Sequence, residues 1–179
     1  MNENLEIIQK IRADISEEIP IIYETVKEKK PKIILECGCG ASTLAMALAL
    51  KDAACYSSKI VAIDTDLNAI NAIINNQKLY YWLSDFIILI NGRSVDFLKT
   101  FIGTTDFVFI DSDHSYSNTL EELNLSDSKL PKNGIIMMHD TRQEGVSIAI
   151  KEFNKDNRYI VNTYETTNGC TKLTKSGPL

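Results

Sequence analysis

The chain predicts an open, doubly wound α/β sheet, mostly parallel and finished by an antiparallel hairpin. From Pro31 onward, short apolar runs alternate with longer segments of helical character. The runs are apolar on consecutive rather than alternate positions, as parallel strands buried on both faces require. The last segment differs, because two extended stretches flank Asn168-Gly169, a hairpin signal. Such a sheet binds ligands at the carboxyl ends of its strands.

Residues 3–29 carry Leu5, Ile8, Ile11 and Ile15, then Ile19, Ile22 and Val26, at helical spacing. Pro20 is expected to divide them into two helices. We expect residues 1–30 to form an N-terminal helical cap over an acceptor, or a homodimer contact, and residues 31–179 to form one ligand-binding domain. Strands are predicted at 33–35, 60–63, 86–90, 107–110 and 135–138. Helices are predicted at 42–50, 67–83, 95–101, 116–125 and 144–153, with Ser42, Asp66 and Ser94 as N-caps. Stretches 158–165 and 170–175 make the hairpin.

The 179 residues suit one domain with a continuous core. A net charge of −5 speaks against sequence-independent contact with nucleic-acid phosphates. The basic cluster 27–32 contains Glu28 and Pro31 and reads as a solvated helix end. The apolar run 44–50 is far short of the ~20 residues that span a bilayer. Charges at Glu3, Glu6, Lys10, Arg12 and Asp14 leave no signal-peptide core. Four cysteines are too few for a disulfide scaffold, so a reduced, cytoplasmic setting is expected.

At the predicted strand ends, Glu36, Gly38, Gly40 and Ser42 follow the first strand and open a helix. Glycines let backbone approach a ligand, and a helix N-terminus offers free N–H groups. Asp64 ends the second strand, where a carboxylate can accept both hydroxyls of a ribose. An adenosine-containing cofactor follows, either NAD or S-adenosylmethionine (SAM). Three points favour SAM. Thr43 stands where dinucleotide binders need glycine or alanine. Glu36 suits an amino group better than a pyrophosphate. Little chain remains for a second substrate domain.

The segments ECGCGAST, IVAIDTD, FVFIDSDHSY and LPKNGIIMMHDT resemble, in that order, class I SAM-dependent methyltransferases. FIDSDHSY followed by GIIMMHD is most similar to the small O-methyltransferases related to catechol-type and cephalosporin-hydroxylase-like proteins. The resemblance implies a Rossmann-like seven-stranded sheet with an antiparallel last strand. It also implies a SAM site of Glu36, Gly38, Cys39, Gly40, Ser42, Asp64, Thr65, Ser94 and Asp111, with Ser94 near the adenine or serving as a helix cap.

A second cluster follows the fourth and fifth strands: Asp111, Asp113 and His114, then His139 and Asp140. Methyl transfer to a hydroxyl needs the nucleophile aligned and its proton removed, by a metal or a base. In the metal-dependent relatives, acids at the places of Asp111 and Asp140 hold a divalent cation. Here His139 is a candidate third ligand beside them, and magnesium or manganese the candidate metal. His114 stands where catechol-type relatives carry a lysine base. Asp111, His114 and His139 are thus the catalytic candidates, with a small hydroxylated metabolite or sugar as substrate. An oxidoreductase and a non-catalytic binding protein are the alternatives. Cys37 and Cys39 lack partner ligands at metal spacing and are read as small side chains that fill the loop.

Overall fold

The computed structural model describes residues 3–177. Helices α1 (Glu3–Gln9) and α2 (Ile19–Lys29) precede β1 (Ile33–Cys37), α3 (Ala41–Asp52) and β2 (Lys59–Asp64). Next come α4 (Leu67–Asn75), α5 (Gln77–Leu83), β3 (Ile87–Asn91), α6 (Ser94–Thr100), β4 (Phe107–Ile110) and α7 (Tyr116–Asp127). The chain continues through β5 (Ile135–Met138), α8 (Glu144–Phe153), β6 (Tyr159–Tyr164) and β7 (Cys170–Lys175). The seven strands form one sheet in the order β3-β2-β1-β4-β5-β7-β6. The first five are parallel, while β7 runs antiparallel to both β5 and β6. Among the described residues, no helix is long and apolar enough to cross a membrane.

Both sheet faces are covered, which explains the unbroken apolar runs. On β4, Phe107 and Phe109 join the core beneath α1, α2, α3 and α5. Val108 and Ile110 join the opposite core beneath α7 and α8. Residues 41–50 of α3 are all buried. Alanines at 41, 45, 47 and 49 keep that helix slim enough to pack on several sides.

Several boundaries differ from the sequence expectation. Pro20 lies in the first turn of α2, where its missing N–H is harmless. The break comes earlier, around a 3₁₀ turn at Ala13–Ile15. The single helix expected over 67–83 is broken at Asn76, whose ψ of 61° is not helical. An unbroken helix would carry the stripe of Ile70 and Ile73 on to Gln77; the break moves it to Leu79 and Leu83, which are buried. Gly40, not Ser42, caps α3, and its N–H donates to Thr43 Oγ1 at 3.0 Å. Arg93, not Ser94, precedes α6, because the Ser94 hydroxyl is turned inward to donate to Glu122. Asp66 does cap α4, accepting the Asn68 N–H at 2.8 Å.

The ladder runs one residue beyond the strand ends. Gly38 N–H donates to the Ile63 carbonyl (2.8 Å), Asp111 N–H to that of Cys37 (2.8 Å), and His139 N–H to that of Ile110 (3.2 Å). Gly38 has a φ of +88°, and a Cβ there would lie 2.1 Å from the Asp111 carbonyl oxygen. We expect Gly38→Ala to cost about 3 kcal/mol or more. Thermal denaturation should show this as a Tm roughly 6–12 °C lower; an unchanged Tm would show that the loop can yield.

Candidate active site

Registers bring the strand-end residues side by side. Cys37 pairs with Ile63 and Ile110, and Ile110 with Met138. The following residues, Asp64, Gly38, Asp111 and His139, therefore form one row along the carboxyl rim. Beside it lies a cavity of about 400 Å³, within the size range of small-molecule sites. Gly38, Asp64, Thr65, Ser94 and Asp111 line it, together with Gly92, Arg93 and Asn118.

Asp64 is fixed by two backbone donors, Cys39 N–H to Oδ2 (2.9 Å) and Asp66 N–H to Oδ1 (2.8 Å). Each oxygen retains a lone pair for a ligand hydroxyl. The Cys39 N–H is thus engaged by Asp64. Its thiol, like that of Cys37, is pushed up by burial. Glu36, Cys39, Gly40 and Ser42, expected at the cofactor, are not among the residues that line this cavity. Glu36 is wholly buried and accepts the hydroxyls of Ser42 and Thr43, each at 2.6 Å. Its side chain stands on the α3 side of β1, so it braces the loop from beneath.

Asn118 and Arg93 were missed in the sequence because neither forms part of a recognisable spacing. Glu122 was missed as well. It is fully buried and accepts from Ser94 and from Ser112, the latter at 2.7 and 2.9 Å. Burial raises its carboxyl even against these donors. Asp113 accepts the Ser115 N–H at 2.8 Å, at the entry to α7.

The second cluster does converge. His139 Nδ1 lies 3.1 Å from Asp111 Oδ1 and 3.3 Å from Asp140 Oδ2. His114 Nε2 approaches Asp140 Oδ2 at 3.0 Å and Asp111 Oδ1 at 3.5 Å, within charge attraction though not aligned as hydrogen bonds. His139 is buried, while the His114 side chain is 30% exposed. Burial disfavours the His139 cation, yet Asp111, Asp140 and Glu18 outweigh it and push its pKa up to about 9. Burial likewise opposes charge on Asp111, but the two imidazoles hold its carboxyl below the ordinary value. The Asp111 contact raises His114. Asp140 has a φ of 56°, a left-handed conformation that Asp tolerates better than most residues. The loop after it is pinned to the hairpin turn by Thr141 N–H to the Gly169 carbonyl and Arg142 N–H to the Asn168 carbonyl, both 3.1 Å.

Asp111, His139 and Asp140 each offer a ligand atom within 4.8 Å of the others. Neighbouring ligands of an octahedral cation with bonds near 2.1 Å stand about 3 Å apart, close to the 3.1 and 3.3 Å found at His139. Two carboxylates and an imidazole are a donor set that can hold a divalent cation.

A family model described as a methyltransferase domain matches residues 35–141. The chain belongs to this methyltransferase family. The O-methyltransferase from Bacillus cereus, solved in complex with SAH, matches with a TM-score of 0.76 at 17% identity, over 98% of this chain and 92% of that one. TomG of Streptomyces achromogenes, an O-methyltransferase involved in tomaymycin synthesis and solved with SAM, matches with 0.74 at 14% identity, over 90% and 81%. The SAH-bound methyltransferase PaMTH1 of Podospora anserina gives 0.69 at 21% identity, over 97% and 86%. At these identities the likeness establishes the fold, a Rossmann-like methyltransferase sheet. No curated protein matches the chain.

Burial pushes the methyltransferase's Glu36 up to about 8 from an ordinary 4.5, against the hydroxyls of Ser42 and Thr43 and with Asp111 and Asp64 adding to it. A raised folded pKa contributes stability below the unfolded value that is lost as pH rises through the folded one. The wild-type Tm should therefore fall from pH 4.5 to 8 more steeply than that of Glu36→Gln. Parallel curves in a pH series of thermal melts would contradict this.

Proposed function

We propose that this methyltransferase moves the methyl group of SAM to a hydroxyl of a small metabolite or sugar, with a divalent cation and a histidine base assisting. The observation that carries this reading is the double position of Asp111, which lines the cavity beside Gly38 and Asp64 and also belongs to the cluster with His114, His139 and Asp140. Family membership, and the SAM or SAH bound in structural neighbours, favour SAM over a nicotinamide cofactor.

When bound, SAM would supply an electrophilic methyl group with a sulfonium leaving group, and the cation would acidify the acceptor hydroxyl. The chain's own residues hold and orient. Asp64, immobilised by two backbone donors, accepts the ribose hydroxyls, while Gly38 and the stretch Gly92–Ser94 let the ligand lie against backbone. Asp111, His139 and Asp140 would hold the cation. His114, open enough to reach an acceptor, takes the hydroxyl proton, and Asp140 and Asp111 beside Nε2 stabilise the imidazolium. Residues 12–18 border the cluster, since the Asp14 carbonyl lies 3.3 Å from His139 Nε2. We assign the described part of the N-terminal segment, residues 3–30, to the acceptor side on that ground.

Millimolar SAM or SAH should raise the Tm, and Asp64→Ala should abolish the rise; no shift with the wild type overturns the cofactor assignment. Asp111→Asn and Asp140→Asn should each remove Mn²⁺ binding. In a mass-spectrometric screen of hydroxylated metabolites, His114→Gln should lower kcat by about 10²-fold. If both Asn variants bind metal and turn over as the wild type does, the metal-assisted mechanism is wrong.

A further inference from the structure

Beside the cluster stands a carboxylate that the proposed chemistry does not use. Glu18 is 1% exposed, and neither of its oxygens has a hydrogen-bond partner among the described residues. Burying an unpaired carboxylate is destabilising unless a cation answers it. Glu18 occupies the N-cap position of α2 but makes no cap bond. The residue two places on, where an N-cap side chain often finds a donor, is Pro20, which has no N–H.

The side chain instead faces His139 from behind. Its Oε1 lies 3.9 Å from Nε2, whereas Asp111 and Asp140 approach the other nitrogen, Nδ1, at 3.1 and 3.3 Å. The second neighbour of Nε2 is the Asp14 carbonyl at 3.3 Å. Carbonyl and carboxylate only accept, as do the two aspartates at Nδ1; a cation held between those aspartates takes the Nδ1 lone pair, and the hydrogen of the neutral ring then belongs on Nε2. Metal-binding histidines are commonly held this way, with the remote N–H facing a carboxylate or carbonyl that fixes both tautomer and ring orientation.

We propose that Glu18 is a positioning residue for His139. With the Asp14 carbonyl it keeps the hydrogen on Nε2 and turns Nδ1 toward Asp111 and Asp140 as a cation ligand. The Asp14 carbonyl is the nearer acceptor, and Glu18 acts by charge at 3.9 Å. The segment is fastened for this task. Asn168 Nδ2 donates to the same Asp14 carbonyl at 2.8 Å. The Glu17 carboxylate accepts Thr167 N–H at 2.7 Å and its hydroxyl at 3.1 Å. This assignment rests on the metal-assisted reading above.

The test is Mn²⁺ titration by calorimetry on the full chain without cofactor, comparing wild type, Glu18→Gln, Glu18→Leu and Asp111→Asn, with metal-free melts alongside. Both Glu18 variants should bind Mn²⁺ about 10- to 100-fold more weakly. Wild-type affinity in both variants overturns the proposal, as does a lowered Tm with unchanged affinity, the mark of a merely structural role. If the wild type itself binds no Mn²⁺, the metal-assisted reading fails. Glu18 is then judged by imidazole ¹⁵N spectra of the metal-free protein, recorded at a pH where titration of the spectrum itself shows His139 to be neutral. A smaller share of the Nε2-protonated tautomer in Glu18→Leu than in the wild type upholds the positioning role; identical spectra overturn it.

Discussion

The backbone ladder of the parallel sheet, continued one residue past its strands, is the constraint on which the rest depends. Because Gly38, Asp111 and His139 each donate to the carbonyl that closes a neighbouring strand, their positions along the rim are set by register. The same pairing explains why Gly38 must be glycine: the Asp111 carbonyl occupies the space a side chain would need. A slip of one residue in β4 would turn Asp111 into the core and an apolar side chain toward the cavity.

Electrostatics then builds on that placement. Asp111, Asp140 and Glu18 surround His139 in a region largely closed to solvent, where like charges repel strongly. Without a metal, protonated His139 balances part of this charge, and His114 balances more from the exposed side. A cation and a proton on His139 are thus alternatives for the same negative site. The left-handed backbone at Asp140 is sustained because the loop behind it is bonded to the hairpin turn, and that turn in turn holds the segment carrying Asp14 and Glu17. Three stretches distant in sequence therefore fix one site.

Much of this was legible in the sequence. Consecutive apolar residues announced buried parallel strands, and polar residues directly after them announced the rim. Asp64, Asp111, His114, His139 and Asp140 could be placed on one rim because residues that follow parallel strands gather at the sheet's carboxyl edge. What escaped has no such address. Glu122 reaches the Ser94 and Ser112 hydroxyls from the middle of α7, and Glu18 reaches His139 from before a proline in the N-terminal segment; neither position differs in sequence from a solvated helix glutamate.

Sequence by itself determined the sheet, its antiparallel finish and the acidic row, since periodicity and local chemistry are properties of neighbouring residues. Tertiary structure alone decided which polar groups face the cavity and which face each other. Glu36 and Ser42 sit beside a ligand loop in sequence, yet they satisfy one another beneath it, because a buried carboxylate takes the nearest hydroxyl donors available. Glu18 lies far from the rim in sequence and beside it in space, because folding α2 against α3 carries it there.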